Sequence, residues 1–129
     1  LLIHTRYQCV HDQPGRVIPN MNPDRIVGLG KHFPKLYLVI AHFGNGSFYV
    51  LQEMKKQPRT YLETSILGSA PATIEMAVEA VGPDRILFGS DVPYSKQYIE
   101  YRKIRESRLS RKDKEKILYH NAAHLIKLE

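Results

Sequence analysis

Apolar residues gather in four short runs along the chain: Leu1-Leu2-Ile3, Leu36 to Ala41, Thr60 to Thr64 and Arg85 to Phe88. The second and fourth are continuous rather than alternating, the pattern of strands buried on both faces in a parallel sheet. Between the runs the apolar spacing changes to that of a helix. Pro23 to Phe33 places Ile26, Leu29 and Phe33 on one side, and Pro34 stops it. Gly46 to Lys56 does the same with Val50, Leu51 and Met54. Ala70 to Val81 carries Ile74, Ala77, Val78 and Val81 as one stripe, with Pro71 suited to the first turn and Gly82-Pro83 to the stop. Past the fourth run, Ser95 to Ser107 predicts a helix with Tyr98, Tyr101 and Ile104 inward. Another opens at Ser110, an N-cap with Asp113 three residues on, and carries Ile117 and Leu118. A closing stretch, Asn121 to Leu128, is expected to pack Ala122, Leu125 and Ile126.

The order is β-α-β-α-β-α-β-α-α. Such alternation means parallel strands joined by right-handed crossovers. Two α/β architectures fit: an open doubly wound sheet, or part of a (β/α)8 barrel. The chain has no GxGxxG and no P-loop, which removes the best support for a nucleotide-binding open sheet.

Composition narrows the picture. At 129 residues, 43% hydrophobic and 25% charged, the chain is long enough for one domain with a core, and residues 1–129 read as one. No apolar run approaches the ~20 residues of a membrane span. A lone Cys9 excludes an internal disulfide framework and suits a reducing, cytoplasmic compartment. The chain opens on Leu1, inside a strand pattern, and is expected to be a piece of something longer. The net charge of +6 is concentrated in Lys96 to Lys116. Opposite charges and helically spaced aromatics are interspersed there, so the stretch reads as a solvated helix face and not as a nucleic-acid surface.

Candidate chemistry sits at the strand ends. The first run ends at His4, the second at His42, the third near Glu63-Thr64-Ser65, and the fourth leads through Gly89-Ser90 to Asp91. In both architectures the working site lies at the carboxyl ends of the strands. Those ends share a rim, so His4, His42 and Asp91 are expected to converge. Two imidazoles and a carboxylate suit zinc or a similar divalent ion. Taken singly, each has an ordinary alternative: a satisfied polar histidine, or a turn aspartate. Glu63 reads as a polar residue of the rim or barrel interior. His11, His32, His120 and His124 do not fall at strand ends and read as surface or packing residues. His120 and His124 have helical i, i+4 spacing but no third ligand nearby.

Five blocks, "LLIHT", "FPKLYLVIAHFGNG", "YLETS", "AVEAVGPDRILFGSDVP" and "KILYHNAAHLIKL", together resemble the C-terminal half of amidohydrolase-related metal-dependent hydrolases. The branch is the one that includes aminocarboxymuconate-semialdehyde decarboxylase and related aromatic-acid decarboxylases. The resemblance covers nearly the whole chain, and the block around Gly82 to Pro93 is its most specific part. It implies a partial (β/α)8 barrel, strands five to eight with their helices, and a divalent metal at the rim, zinc first and manganese second. By motif position His4 would be a metal ligand. Asp91 would ligate the metal and act as general base, and His42 would polarise the substrate or hold a second ion. Arg6 stands where many relatives have Gly and is expected to bind a substrate carboxylate. The segment Tyr7 to Asn22 reads as a substrate-facing loop.

The family's His-x-His pair at the first strand is missing from this chain. A whole barrel needs about 200 residues or more. The expectation is a half-barrel with open sheet edges, completed by a second copy or by a separate N-terminal half. The function implied for the parent is metal-dependent hydrolysis of a small, carboxylated substrate, with non-oxidative decarboxylation as the alternative. For the chain alone, a catalytically silent oligomerisation module competes with both. No nucleic-acid or membrane partner is expected.

Overall fold

The computed structural model of the chain describes residues 1–5, 22–65 and 70–128. Arg6, Cys9 and His11 lie outside them, as does all of the Tyr7 to Asn22 loop except Asn22. Four strands, β1 (Leu2–Ile3), β2 (Leu38–Ile40), β3 (Thr60–Glu63) and β4 (Ile86–Leu87), form one parallel sheet in the order β1-β2-β3-β4. The helices are α1 (Pro23–His32), α2 (Phe48–Met54), α3 (Pro71–Val81), α4 (Gln97–Glu106), α5 (Arg111–Glu115) and α6 (Asn121–Leu125). A π-helical turn, Lys116–His120, fuses α5 to α6.

The sequential order decides between the two architectures. Right-handed crossovers that always step in one direction leave every helix on the same face. A doubly wound sheet reverses direction and covers both faces. Here the core confirms a single helical layer. Leu38, Ile40, Leu62 and Ile86 are fully buried and pack with Val27, Val50, Met54, Ile74, Ile104 and Ile117 from the helices. The register sets Leu2 beside Val39 and Val39 beside Tyr61, so the alternate positions share the opposite face. The chain is thus one wall of barrel type, with β1 and β4 as edges among the described residues.

The helix ends follow the local chemistry. Asn22 caps α1 by accepting the Asp24 N–H at 2.8 Å, and Pro23 occupies the first turn. Gly82, at φ 82°, ends α3 in a conformation that a side chain would resist. Ser110 accepts the Asp113 N–H at 3.1 Å as its position predicts, while its hydroxyl donates to the Asp113 carboxylate at 2.7 Å.

Four sequence expectations need correction. Helix α2 begins at Phe48, two residues later than read, because residues 42–46 form a separate turn and Ser47 is the cap. Phe33 is exposed: the residue before a proline leaves the helical region, and at φ −126° it departs from the α1 stripe. Tyr98 and Tyr101 face outward, and the buried stripe of α4 is Glu100, Lys103 and Ile104. Burying that stripe is tolerable because Lys103 Nζ lies 2.7 Å from Glu100 and the Ser95 hydroxyl donates to the other carboxylate oxygen at 2.8 Å. Ile126 falls beyond the end of α6 and is exposed, and Ala123 takes the buried place.

The basic stretch pairs with acids: Arg102 with Glu106, Arg111 with Glu115 at 2.8 Å, and Lys116 with Asp84 at 2.6 Å. No helix among the described residues is long and apolar enough to cross a membrane.

Candidate active site

The carboxyl ends of adjacent strands are stitched together by side chains. Thr5, just past β1, donates its hydroxyl to the Ala41 carbonyl past β2 at 2.6 Å. Glu63, at the end of β3, accepts the His42 backbone N–H at 3.1 Å. Thr64 Oγ1 accepts the Gly89 N–H past β4 at 3.1 Å. Thr5 is fully buried, so its bond to Ala41 sits away from competing water.

After β2 the backbone turns left-handed. His42, Phe43, Gly44 and Asn45 have φ between 50° and 58°. Left-handed geometry costs about 1–2 kcal/mol for each residue with a Cβ. Two things hold it here: Phe43 is buried in the core, and the acceptor on Glu63 takes the His42 N–H. Strain fixed by surrounding structure is characteristic of functional sites. Gly44 has a further reason to lack a side chain, since a Cβ there would approach both Val50 methyls at 3.3 Å.

The turn delivers the His42 ring to the rim. Its Nδ1 lies 2.6 Å from the Ser65 carbonyl oxygen, and its Nε2 lies 2.8 Å from His4 Nδ1. The two rings meet edge to face, with centroids 4.6 Å apart. A carbonyl only accepts, so Nδ1 of His42 carries a proton. In the neutral ring Nε2 is then a lone pair, and His4 Nδ1–H donates to it.

Asp91 lies past β4 and adopts φ 50°, and its carbonyl accepts the Ser95 N–H at 3.0 Å. It lines an open depression of about 500 Å³ together with His4, His42, Glu63, Ser65 and Ser90. The structure therefore brings His4 and His42 into contact and places Asp91 on the same depression. Arg6 lies outside the described residues. Sequence reasoning placed Glu63, Thr64 and Ser65 at the end of the third run without giving the two hydroxyls a role, and it gave Thr5 none. The available signal was a carboxylate at the end of an apolar strand followed by two hydroxyls, in "YLETS".

A larger depression, about 700 Å³, lies at the amino ends of the strands and is lined in part by Tyr61, Asp84, Arg85, Lys116 and Asn121. Its polar groups hold the fold. Arg85 donates to the Val81 carbonyl at 3.0 Å, to that of Gln57 at 3.3 Å and to that of Met54. Burial pulls the Arg85 guanidinium below its ordinary pKa and pushes the Tyr61 phenol above its own. Asn121 donates to the Pro83 and Ile86 carbonyls at 2.7 and 2.8 Å, clamping the turn that feeds β4. The amino end of a barrel wall is the stability face, so the smaller rim depression is the candidate site.

The donors at the rim suit a divalent ion in kind: two imidazoles and a carboxylate. They fall short in number. Among the described residues no three His, Cys, Asp or Glu side chains gather closely enough to hold a metal.

No curated protein matches the chain. Solved structures do. A dihydroxybenzoic acid decarboxylase from a Polaromonas species, with bound manganese and 2-nitroresorcinol, superposes with a TM-score of 0.67 at 24% identity, over 82% of this chain and 39% of that one. A 2,6-dihydroxybenzoate decarboxylase complexed with 2,6-dihydroxybenzoate gives 0.72 at 20% identity, over 98% and 50%. An amidohydrolase from Burkholderia multivorans with bound zinc gives 0.60 at 22% identity, over 78% and 49%. The chain thus spans half or less of the length of these structures. At such identities they establish the fold. Membership rests on the sequence profile, which matches residues 5–128 and so takes in every strand end from Thr5 onward: the chain belongs to the Amidohydrolase family.

Proposed function

We propose that the chain is the C-terminal half of a metal-dependent hydrolase barrel, strands five to eight, and that its rim carries part of the active site. The contact between His4 and His42 at 2.8 Å, on a depression that Asp91 also lines, is the observation that carries this reading. His4 and Asp91 would hold the ion, with His42 turned toward the substrate. A zinc or manganese ion bound there supplies Lewis acidity. Manganese and zinc in the solved neighbours favour a divalent metal without choosing between the two.

The chain's own residues account for the rest. Glu63 and Ser65 hold the His42 ring so that Nε2 faces the rim. Asp91 is the general base, and its place past the last strand sets it beside the open depression. Arg6 is assigned to a substrate carboxylate by its position after His4-Thr5. Hydrolysis of a small carboxylated substrate is the first reading. Decarboxylation of an aromatic acid is the second, supported by the neighbours that are decarboxylases. The lone Cys9 continues to favour a reducing, cytoplasmic setting.

The two sheet edges, with Leu1 and Leu2 exposed along β1, favour completion by a second copy or an N-terminal half. The competing reading is an oligomerisation module without chemistry. Calorimetric titration with zinc and with manganese separates them, run on this chain and on Asp91→Ala. Binding that is lost in the variant supports the metal site. Binding indifferent to Asp91 in both titrations rejects it.

A further inference from the structure

Glu63 receives three donors. Its Oε1 accepts the Ser65 N–H at 2.7 Å, and its Oε2 accepts the Ser65 hydroxyl at 2.8 Å and the His42 N–H at 3.1 Å. Only a carboxylate answers all three with two acceptor atoms. An amide in its place turns one oxygen into an NH2 group, and either orientation sets that donor against a backbone N–H. The bonds run in a closed path. Glu63 fixes the backbone of residue 65, the Ser65 carbonyl accepts Nδ1–H of His42 at 2.6 Å, and Glu63 also fixes the backbone of His42 itself. Both ends of the imidazole's restraint therefore pass through one side chain.

Space for that carboxylate is reserved from the neighbouring strand. A Cβ on Gly89 would lie 1.5 Å from Glu63 Oε1, so the glycine just past β4 is what lets Glu63 lie where it does.

We infer that Glu63 is a positioning residue. It selects the Nδ1–H tautomer of His42 and so presents the Nε2 lone pair to the rim, and through it orients His4 Nδ1–H. A second group that orients a ligand or a polarising histidine is worth about 10–100-fold in metal affinity or activity. This step rests on the proposed metal site only for its consequence, since the tautomer exists without any ion.

The experiment is a long-range 1H–15N correlation of the imidazoles in the metal-free chain, above pH ~8, where an ordinary imidazole is neutral. The His42 signals are identified by their loss in His42→Gln. In the parent chain His42 should show a protonated Nδ1 and a pyridine-type Nε2. Ser65→Ala should keep that pattern, because the acceptor is the backbone carbonyl. Glu63→Gln should mix or invert it. Gly89→Ala should do likewise with the charge retained, by displacing the carboxylate. The methyl signals of Leu62 and Ile86 report whether each variant is folded. A parent chain without Nδ1–H on His42 overturns the inference, as does an unchanged pattern in folded Glu63→Gln and Gly89→Ala. Unfolding of both variants makes Glu63 a structural residue and overturns it equally. A zinc titration in parallel should show Kd weakened about 10–100-fold in Glu63→Gln. If the parent binds no zinc while the tautomer pattern behaves as stated, the metal reading fails and the positioning role stands.

Discussion

Replacing Lys103 by Met should destabilise the chain strongly, and replacing Glu100 by Leu in the same molecule should restore most of the loss. Glu100 is 1% exposed and Lys103 7%, and Nζ lies 2.7 Å from Oε2. At that separation Coulomb attraction at an effective dielectric of 20 is about 6 kcal/mol. Desolvating the two ions costs several kcal/mol each, so the intact pair contributes little net stability. Removing one member leaves the other buried and uncompensated, which costs about 3–5 kcal/mol. The double variant buries two apolar side chains instead. It forfeits the Ser95 hydroxyl bond to Glu100, a loss of about 1 kcal/mol, and should lie within about 2 kcal/mol of the parent. Lys103 makes an interaction beyond the pair, so the coupling energy of the four-member cycle is the quantity to read, not either single value. Urea unfolding followed by circular dichroism gives all four stabilities from midpoint and slope. A coupling of about 2 kcal/mol or more is expected. Additive single effects, or single variants costing under ~1 kcal/mol, would refute the argument that this stripe is buried as a pair.

Asn121→Ala removes two bonds to buried carbonyls and should cost about 2–4 kcal/mol, read as a lower urea midpoint at unchanged slope. Ile74→Ala empties a fully buried core position on α3 and should cost about 2–5 kcal/mol by the same assay, whereas Tyr98→Ser, on the exposed face of α4, should stay within about 0.5 kcal/mol. Glu53 is held below the ordinary carboxyl pKa of 4.5 by the hydrogen bond from Lys31, then by that from Lys56. A depressed carboxyl contributes stability that is complete above its unfolded pKa and fades as pH falls through the folded value. Lys31→Met/Lys56→Met should therefore flatten the fall of urea midpoint below pH 4.5, and an unchanged acid limb would refute it.

The strands, their order of occurrence and the α3 helix were legible because burial imposes an unbroken apolar run or a clean stripe on the sequence. The rim positions of His4, His42 and Asp91 followed from strand ends alone. The face of α4 was not legible. Its tyrosines supply helical spacing as convincingly as a core stripe, and only tertiary contacts reveal that Glu100 and Lys103 neutralise one another inside while Ser95 donates to Glu100. Nor was the left-handed turn. "HFGNG" advertises a loop through Gly44 and Gly46, but what forces His42, Phe43 and Asn45 into that conformation is the buried Phe43 ring and the Glu63 acceptor on another strand. The π-helical turn at Lys116–His120 leaves no mark on the apolar spacing, in which Ile117 alone of its five residues is buried.

The sequential sheet divides the rim into an inner and an outer set of donors. His42, Glu63 and Ser65 belong to the two central strands, whose neighbours on either side are already supplied. His4 and Asp91 belong to the edge strands, each with one flank unclaimed among the described residues. The inner trio has a paired strand on both sides, whereas the outer pair has one on a single side. A strand paired at either edge would then shift His4 or Asp91, while the hydrogen bonds that orient the His42 ring, all drawn from the central strands, would stay as they are.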